Sequence, residues 1–163
     1  MKNFLTHWLW LACISAILTA GCGFHLRGQV ELPYRSVYVE GGQGGLTTAL
    51  QAALRQGKAD RLAPSAAKAE SVIQILSEQN SKLILSLSGI GKAREYQLQY
   101  RVSYRLITPQ GKQILAPANI LLVRDMTYSD AQVLAKGEEE QLLYRDMHKD
   151  AARQVLRRIS SAR

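Results

Sequence analysis

An alternation of apolar and polar residues between positions 96 and 106 is the clearest pattern in this chain. Gln, Arg or Ser separates the members of the apolar set, which are Tyr96, Leu98, Tyr100, Val102, Tyr104 and Leu106. Because successive side chains of a strand point to opposite faces, this period of two predicts a strand with one packed and one solvated face. Such a strand is typical of an antiparallel sheet.

Shorter apolar runs on the N-terminal side of this strand predict the first part of a sheet. Residues 37–39 form one short β-prone run. Residues 72–76 and 83–87 are two more, and they form either one long strand with a kink or two short strands. Ser-Gly-Ile-Gly at residues 88–91 then predicts the tip of a hairpin.

A turn and a last strand are predicted on the C-terminal side. Thr-Pro-Gln-Gly at residues 108–111 suits a type I turn, which favours Pro at its second and Gly at its fourth position. A further strand is expected between Gln113 and Met126. Since proline cannot donate a ladder hydrogen bond, Pro117 indicates an edge strand or a bulge within it.

Two segments repeat apolar residues at spacings of three and four, which predicts amphipathic helices. The first is followed by Gly57, which is well placed to end it, and contains Leu46, Ala49, Leu50, Ala53 and Leu54. The second is capped by Ser129 or Asp130, runs past Gly137 to about Ser160, and has a buried stripe of Leu143, Met147, Ala151, Val155 and Ile159. The order β-α-β-β-β-α predicts an α+β fold, with two helices on one face of a four-stranded mixed or antiparallel sheet.

The N-terminus is typical of a secretory signal. Lys2 precedes a stretch without charge at residues 8–20, which is too short to span a bilayer. The residues up to Cys22 resemble a bacterial lipobox, although Thr19 stands where Leu is favoured. We therefore expect a lipoprotein signal peptide at residues 1–21, a single domain at residues 22–163, and a covalent lipid anchor on Cys22. An ordinary signal with a chance cysteine is the alternative.

The residue after the anchor bears on location. Gly23 follows Cys22, and it is not the Asp that retains many such lipoproteins in an inner membrane. The outer membrane, on its periplasmic side, is therefore the expected location. No cofactor is expected beyond the lipid itself.

Charge indicates the kind of partner. The signal contains one of the 21 basic residues and none of the 13 acids, so the mature chain carries a formal charge of +7. Such an excess predicts an anionic partner, and export argues against nucleic acid. The alternative is that the excess of basic over acidic residues only aids solubility.

Residues of the kinds that carry catalysis are sparse and badly spaced. His25 and His148 are the only histidines of the mature chain, with His148 expected on a charged helix face. Asp146 and Asp150 share a helix face, but basic residues three positions further on predict solvated ion pairs. The glycine-rich residues 41–45 lack the Lys-Ser/Thr ending of a phosphate loop and indicate a flexible turn. We therefore do not expect an enzyme.

Basic residues at the predicted hairpin tip are a better candidate site. Lys92 and Arg94 flank the tip, where contact with phosphate or carboxylate is a plausible role for two projecting cations. A second basic series recurs every fourth residue on the last helix, and a hydrated surface is the simpler interpretation there; it contains Arg145, Lys149, Arg153 and Arg157.

Five short motifs together resemble the lipopolysaccharide-assembly lipoprotein family LptE. In chain order they are Gly-Cys-Gly-Phe-His-Leu-Arg-Gly at 21–28, Glu-Tyr-Gln-Leu at 95–98, Arg-Asp-Met at 124–126, Val-Leu-Ala-Lys at 133–136 and Leu-Tyr-Arg-Asp-Met at 143–147. Each is short, but their order and spacing span nearly the whole mature chain.

The resemblance implies the same α+β fold and a non-enzymatic role. It implies a plug inside the outer-membrane barrel LptD, which delivers lipopolysaccharide to the cell surface, and help with the assembly of that barrel. It also implies lipopolysaccharide contact at Lys136 and at the hairpin tip. The tip arginine of the family falls near Gly89 here, so Lys92 or Arg94 is expected to substitute for it. The alternative is a stand-alone periplasmic carrier or scaffold for an anionic glycolipid or cell-wall polymer.

Overall fold

Four strands and two helices follow one another in the predicted order. The computed structural model describes residues 32–56 and 61–161. Its main elements are β1 (Val37–Glu40), α1 (Gly45–Gln56), β2 (Ser71–Leu87), β3 (Ala93–Ile107), β4 (Gln113–Thr127) and α2 (Val133–Ser160). The predicted signal peptide, Cys22, His25 and Gly57 lie outside the described residues.

The strands form one mixed sheet in the order β1-β2-β3-β4. β1 pairs with β2 in parallel, and the other two pairs are antiparallel. β2 is a single long strand with an irregularity, because Ile75 and Ser77 pair with consecutive residues of β3 and Leu76 is left between them. The first of the two predicted alternatives, one strand with a kink, is therefore confirmed.

β4 is an edge strand with a bulge. Its register shifts between the pair Tyr104 and Ala118 and the pair Leu106 and Leu115, so two residues of β4, Ala116 and Pro117, lie opposite the single residue Arg105 of β3. Both features that the proline indicated are present.

Two similar turns join the antiparallel strands. In the turn at residues 88–92 the amide of Gly91 donates to the carbonyl of Ser88 at 2.9 Å, and Gly91 has a φ of +78°. In the turn at residues 108–112 the amide of Gly111 donates to the carbonyl of Thr108 at 2.9 Å, and φ is +85°. Because side chains disfavour positive φ, glycine is the residue that suits each position.

The core lies between the sheet and the two helices. β3 contributes Leu98, Tyr100, Val102, Tyr104 and Leu106, all fully buried. The helices contribute two stripes, which are Leu46, Leu50 and Leu54 from α1 and Met147, Ala151, Val155 and Ile159 from α2. α2 also buries Ala152 and Leu156, which the predicted stripe omitted, and it packs against α1 as well as against the sheet. Leu143, which the predicted stripe included, is only partly buried against this core.

The start of α2 differs from the prediction. Residues Asp130–Gln132 form a short 3-10 turn, and the α-helix begins only at Val133. Ser129 precedes the turn but its side chain makes no capping hydrogen bond. Across the described residues, neither helix has the combination of length and apolar character needed to cross a membrane.

Removal of a core side chain from α2 gives a test of this packing. Met147 is fully buried, so Met147→Ala should lower the free energy of unfolding by about 2–5 kcal/mol. Leu142 on the same helix is 49% exposed, and Leu142→Ala should change the free energy of unfolding by no more than about 0.5 kcal/mol. Chemical denaturation of both variants measures the difference, and equal losses would contradict the assignment of the buried face.

Candidate binding site at the hairpin end

The three predicted cations lie at one end of the molecule, which we call the hairpin end. It comprises the turn at residues 88–92, residues 84–87 and 93–96 beside it, and residues 127–136. Lys92 lies in the turn, and Arg94 lies just after it, where its carbonyl accepts a hydrogen bond from the amide of Tyr128 at 2.7 Å. Lys136, in the first turn of α2, donates to the hydroxyl of Thr127 at 3.1 Å. Residues 127–130, at and just after the end of β4, thus contact all three.

Carboxylates hold two of these cations. Lys92 Nζ lies 2.6 Å from Asp130 Oδ2, and this hydrogen bond, with the charge of Asp130, raises the pKa of Lys92. Lys136 Nζ lies 2.8 Å from Glu139 Oε2, and its side chain is only 14% exposed. Arg94 is exposed, and its guanidinium has no hydrogen bond or ion pair with any described residue. It is therefore the cation that an incoming anion can contact directly.

Lys82, two residues before the hairpin end, is a fourth cation that contacts it through Tyr96, and the sequence analysis missed it. Its Nζ lies 2.6 Å from Glu140 Oε2 and 4.1 Å from the ring centroid of Tyr96. The ring of Tyr96 in turn packs edge-on against Tyr128, with centroids 5.1 Å apart. A cation over an aromatic face contributes about 0.5–1 kcal/mol at exposed sites. Lys82 of β2 thus connects Tyr96 of β3 with Glu140 of α2.

The segments that carry these cations also expose large apolar side chains. Ile90 at the tip and Leu134 at the start of α2 are 82% and 83% exposed. The other exposed apolar residues of this end are Ile84, Leu85, Leu87 and Val133. Large exposed apolar side chains close to polar groups are typical of interaction surfaces. Cations next to apolar side chains suit an amphiphile with an anionic head and hydrocarbon chains.

A second feature, a cleft of about 450 Å³, lies under the glycine-rich loop. Glu78 Oε1 accepts hydrogen bonds there from the hydroxyl of Tyr100 at 2.7 Å and from the amide of Leu46 at 3.0 Å. A Cβ at Gly44 would overlap the Glu78 carboxylate, and one at Gly45 would overlap the ring of His148. These glycines therefore allow α1 to start close to the sheet, where Glu78 binds its first turn.

The structure corrects the placement of His148. It was expected on a charged helix face, but its ring packs against Tyr100, with centroids 4.6 Å apart, and it lines the cleft. Its Nε2 is buried without a hydrogen bond among the described residues. Position 148 adjoins the buried Met147, so it lies on the boundary between the charged and packed sides of α2.

Asp146 and Asp150 of α2 are held in ion pairs, as predicted. Asp146 lies 3.2 Å from Lys149, and Asp150 pairs with both Arg153 and Arg124. Within residues 32–56 and 61–161 no group of three or more His, Cys, Asp or Glu side chains is placed to hold a metal. The site with a recognisable chemistry is thus the hairpin end, and it belongs to a small α+β binding domain.

Comparison with known proteins agrees with this class. The family model described as LptE, lipopolysaccharide-assembly, matches residues 34–159. The LPS-assembly lipoprotein LptE of Photorhabdus laumondii is 27% identical over 150 residues, covering 90% of this chain and 81% of that protein. The corresponding protein of Pectobacterium atrosepticum is 26% identical, with coverage of 90% and 80%.

Solved structures show the same fold. The solution structure of lipoprotein B from Nitrosomonas europaea is 40% identical, with a TM-score of 0.70 and coverage of 85% of this chain and 91% of that one. The crystal structure of a minor lipoprotein from Acinetobacter baumannii is 25% identical, with a TM-score of 0.64 and coverage of 80% and 94%. The chain belongs to the LptE family of lipopolysaccharide-assembly lipoproteins, which are not enzymes. The sequence resemblance is thereby confirmed.

The burial of His148 predicts a pH-dependent stability. Burial lowers its pKa below the ordinary value of 6.5, although the charge of Glu78 opposes this shift. The unfolded chain therefore binds a proton more readily than the folded one, and stability should fall as the pH drops below about 6.5. Denaturation of the native protein and of His148→Gln near neutral pH and at about pH 5 should show a smaller loss in the variant. Parallel pH profiles would contradict this role of His148.

Proposed function

We propose that this protein works in lipopolysaccharide assembly as the lipid-anchored plug of the outer-membrane barrel LptD. In this proposal an acylated Cys22 holds it at the periplasmic side of the outer membrane, and the domain occupies the lumen of the barrel. The hairpin end binds lipopolysaccharide during its transfer to the cell surface, through Lys92, Arg94 and Lys136.

The observation that carries lipopolysaccharide binding is the combination of cations and exposed apolar side chains at one end. The lipid part of lipopolysaccharide bears phosphates next to acyl chains. Arg94 and Lys92 can donate charge-assisted hydrogen bonds to phosphate oxygens, which are stronger than neutral ones. Ile90 and Leu134 are exposed beside them and can pack against hydrocarbon.

The open face of the sheet supports a position inside a barrel. The helices cover one face, and the middle of the other carries uncharged polar residues and two arginines, together with the exposed Leu83, Leu121 and Val123. The polar members in the middle of β2 and β3 are Gln74, Ser77, Gln79, Ser81, Gln97, Gln99, Arg101, Ser103 and Arg105. The interior of outer-membrane barrels is polar, so the polar part of this face suits a position there.

The partner is tested by extraction of the native, membrane-anchored protein in mild detergent. The proposal expects a large outer-membrane barrel in equal stoichiometry with the chain. Cys22→Ala is the matched control, because a chain without the acylated cysteine should leave the membrane fraction. Isolation of a monomer that binds lipopolysaccharide without a barrel would favour the alternative, a stand-alone carrier.

The binding site is tested by charge reversal on α2. Lys136→Asp should weaken lipopolysaccharide binding about ten-fold or more, because a hydrogen bond to a charged group contributes about 1.5–3 kcal/mol. Lys149→Asp is the control, since Lys149 is on the same helix and also pairs with an acid three positions away, but lies outside the hairpin end. Titration of both variants with labelled lipopolysaccharide measures the difference. Equal affinities would remove Lys136 from the site.

A further inference from the structure

We infer that the end of the domain opposite the hairpin end docks on the headgroups of an anionic membrane leaflet, the one that holds the acylated Cys22. This surface, which we call the basic end, comprises residues 32–37, 54–56, 61–71, 107–114 and 155–161. The inference rests on one part of the proposed function, the lipid anchor, and needs neither the barrel nor lipopolysaccharide. It uses no residue of the hairpin end.

The register of the sheet brings the strand parts of the basic end together. Val37 at the start of β1 pairs with Ser71 at the start of β2. Ile107 at the end of β3 pairs with the second residue of β2 and with Gln113 at the start of β4. All four strands therefore have one end here, and the turn at residues 108–112 projects from it.

Both helices end beside these strand ends. The amide of Val37 donates to the carbonyl of Arg61 at 2.7 Å, and only four residues separate Arg61 from Gln56, the last residue of α1. Because a chain advances at most about 3.6 Å per residue, α1 ends within about 18 Å of Arg61. At the end of α2, the charge of Arg158 acts on the buried hydroxyl of Tyr104, where it opposes the rise in pKa that burial causes. The last turn of α2 therefore lies beside the last part of β3.

Positive charge without a partner is concentrated at this end. Among its described residues seven are basic and one, Glu70, is acidic. Six of the basic side chains are exposed and make no hydrogen bond or ion pair with a described residue; they are Arg35, Arg55, Lys68, Lys112, Arg157 and Arg158. The six ion pairs within the described part of the chain all use other cations. Such a concentration of charge indicates an anionic partner.

The chemistry of this end favours lipid headgroups over a second protein. None of the large apolar side chains exposed in the described part of the chain lies in the basic end. The core of a protein–protein interface is apolar and depleted of charge, whereas an anionic membrane surface attracts lysine and arginine without apolar contact. Each basic residue near such a surface increases membrane affinity about five-fold. The basic end therefore matches the headgroup layer of a membrane.

The position of the anchor brings this end, and not the other, to the membrane. Leu32 is ten residues after Cys22, and a chain of that length reaches at most about 36 Å. The hairpin end lies at the far end of β2, which has 17 residues and is therefore about 50 Å long. This separation exceeds the screening length of about 8 Å at physiological salt, so the two cationic ends act independently. The acyl chains retain the protein, and the basic end orients the domain with its hairpin end away from the anchoring leaflet.

Binding to lipid vesicles tests this surface. The unacylated mature chain, Cys22→Ala, is used because acyl chains would carry the protein into any bilayer. Vesicles contain phosphatidylcholine alone or phosphatidylcholine with one third phosphatidylglycerol, and sedimentation measures the bound fraction. We expect preferential binding to the phosphatidylglycerol vesicles, and loss of it when salt is raised from about 0.1 M to about 0.5 M. Equal binding to both vesicles, or binding that salt does not weaken, would overturn the inference.

Neutralisation of three cations locates the contact. Lys68→Gln, Lys112→Gln and Arg157→Gln, combined in one chain, should lower the affinity for phosphatidylglycerol vesicles about ten-fold or more. All three side chains are exposed and unpaired among the described residues, so the thermal unfolding of this variant should match that of the parent chain. If it does not fold, the lipid and salt dependence of the parent chain still decides the question.

Two matched controls remove three positive charges elsewhere. The first set comes from the middle of α2 and consists of Arg145→Gln, Lys149→Gln and Arg153→Gln. The second set comes from the hairpin end and consists of Lys92→Gln, Arg94→Gln and Lys136→Gln. Each should lower vesicle affinity less than the basic-end set does. An equal loss in the first would make net charge the cause, and a larger loss in the second would assign membrane contact to the hairpin end; either result contradicts the inference.

The acylated chain tests the orientation. A fluorophore is attached at the basic end through Gln110→Cys or at the hairpin tip through Gly89→Cys. Cys22 is the other cysteine of the mature chain, and acylation blocks its thiol. Energy transfer to a headgroup dye should rise at residue 110, and not at residue 89, when phosphatidylglycerol replaces part of the phosphatidylcholine. Transfer at residue 110 that does not respond to phosphatidylglycerol would contradict the proposed orientation.

This inference and the proposed function fail in different experiments. A parent chain without preference for phosphatidylglycerol would overturn the docking surface, while co-purification with the barrel and binding of lipopolysaccharide would be unaffected. Detection of unacylated Cys22 in the native protein by mass spectrometry would instead remove the anchor from the proposed function. The basic-end variant should bind lipopolysaccharide as the parent chain does, because its three substitutions lie far from the hairpin end.

Discussion

Burial of every second side chain of β3 beneath the helices is the constraint on which the rest of the molecule depends. β3 is paired on both sides, and its Leu98, Tyr100 and Val102 are fully buried. A shift of one residue in its pairing would turn these side chains to the solvated face, so the register of both neighbours is strongly specified. The same register sets where the ends of β2 and β4 meet. The geometry of the hairpin end is therefore a consequence of the core.

The hairpin end itself combines features that oppose folding stability with features that support it. Exposed Ile90 and Leu134 add nothing to the core, and Arg94 has no partner among the described residues. Around them Lys82, Tyr96 and Tyr128 connect strands to helix, and the hydroxyl of Tyr144 donates to the carbonyl of Ser81 at 2.9 Å. These contacts thus fix the position of a surface that is itself suited to a ligand.

Local patterns in the sequence were sufficient for the elements and insufficient for the contacts between them. The alternation in β3, the helix stripes, the two glycine turns and the bulge signal at Pro117 all depend on neighbouring residues, and the structure confirms them. Lys92 and Asp130 are 38 residues apart, and Lys82 and Glu140 are 58 apart. Their pairing requires the strand register and the position of α2, which no local pattern encodes. The misplacement of His148 has the same cause, because its surroundings come from β3 and the loop before α1.

The interruption in β4 has a consequence for association between copies of the chain. An outer strand presents backbone groups that another strand could pair with, and long uninterrupted edges favour aggregation. Pro117 has no amide hydrogen to donate, and the bulge around it divides the β4 edge into two shorter stretches with different registers. A second molecule could not extend the sheet along the whole of β4. The interrupted edge therefore opposes edge-to-edge aggregation of the chain before it reaches its site of function.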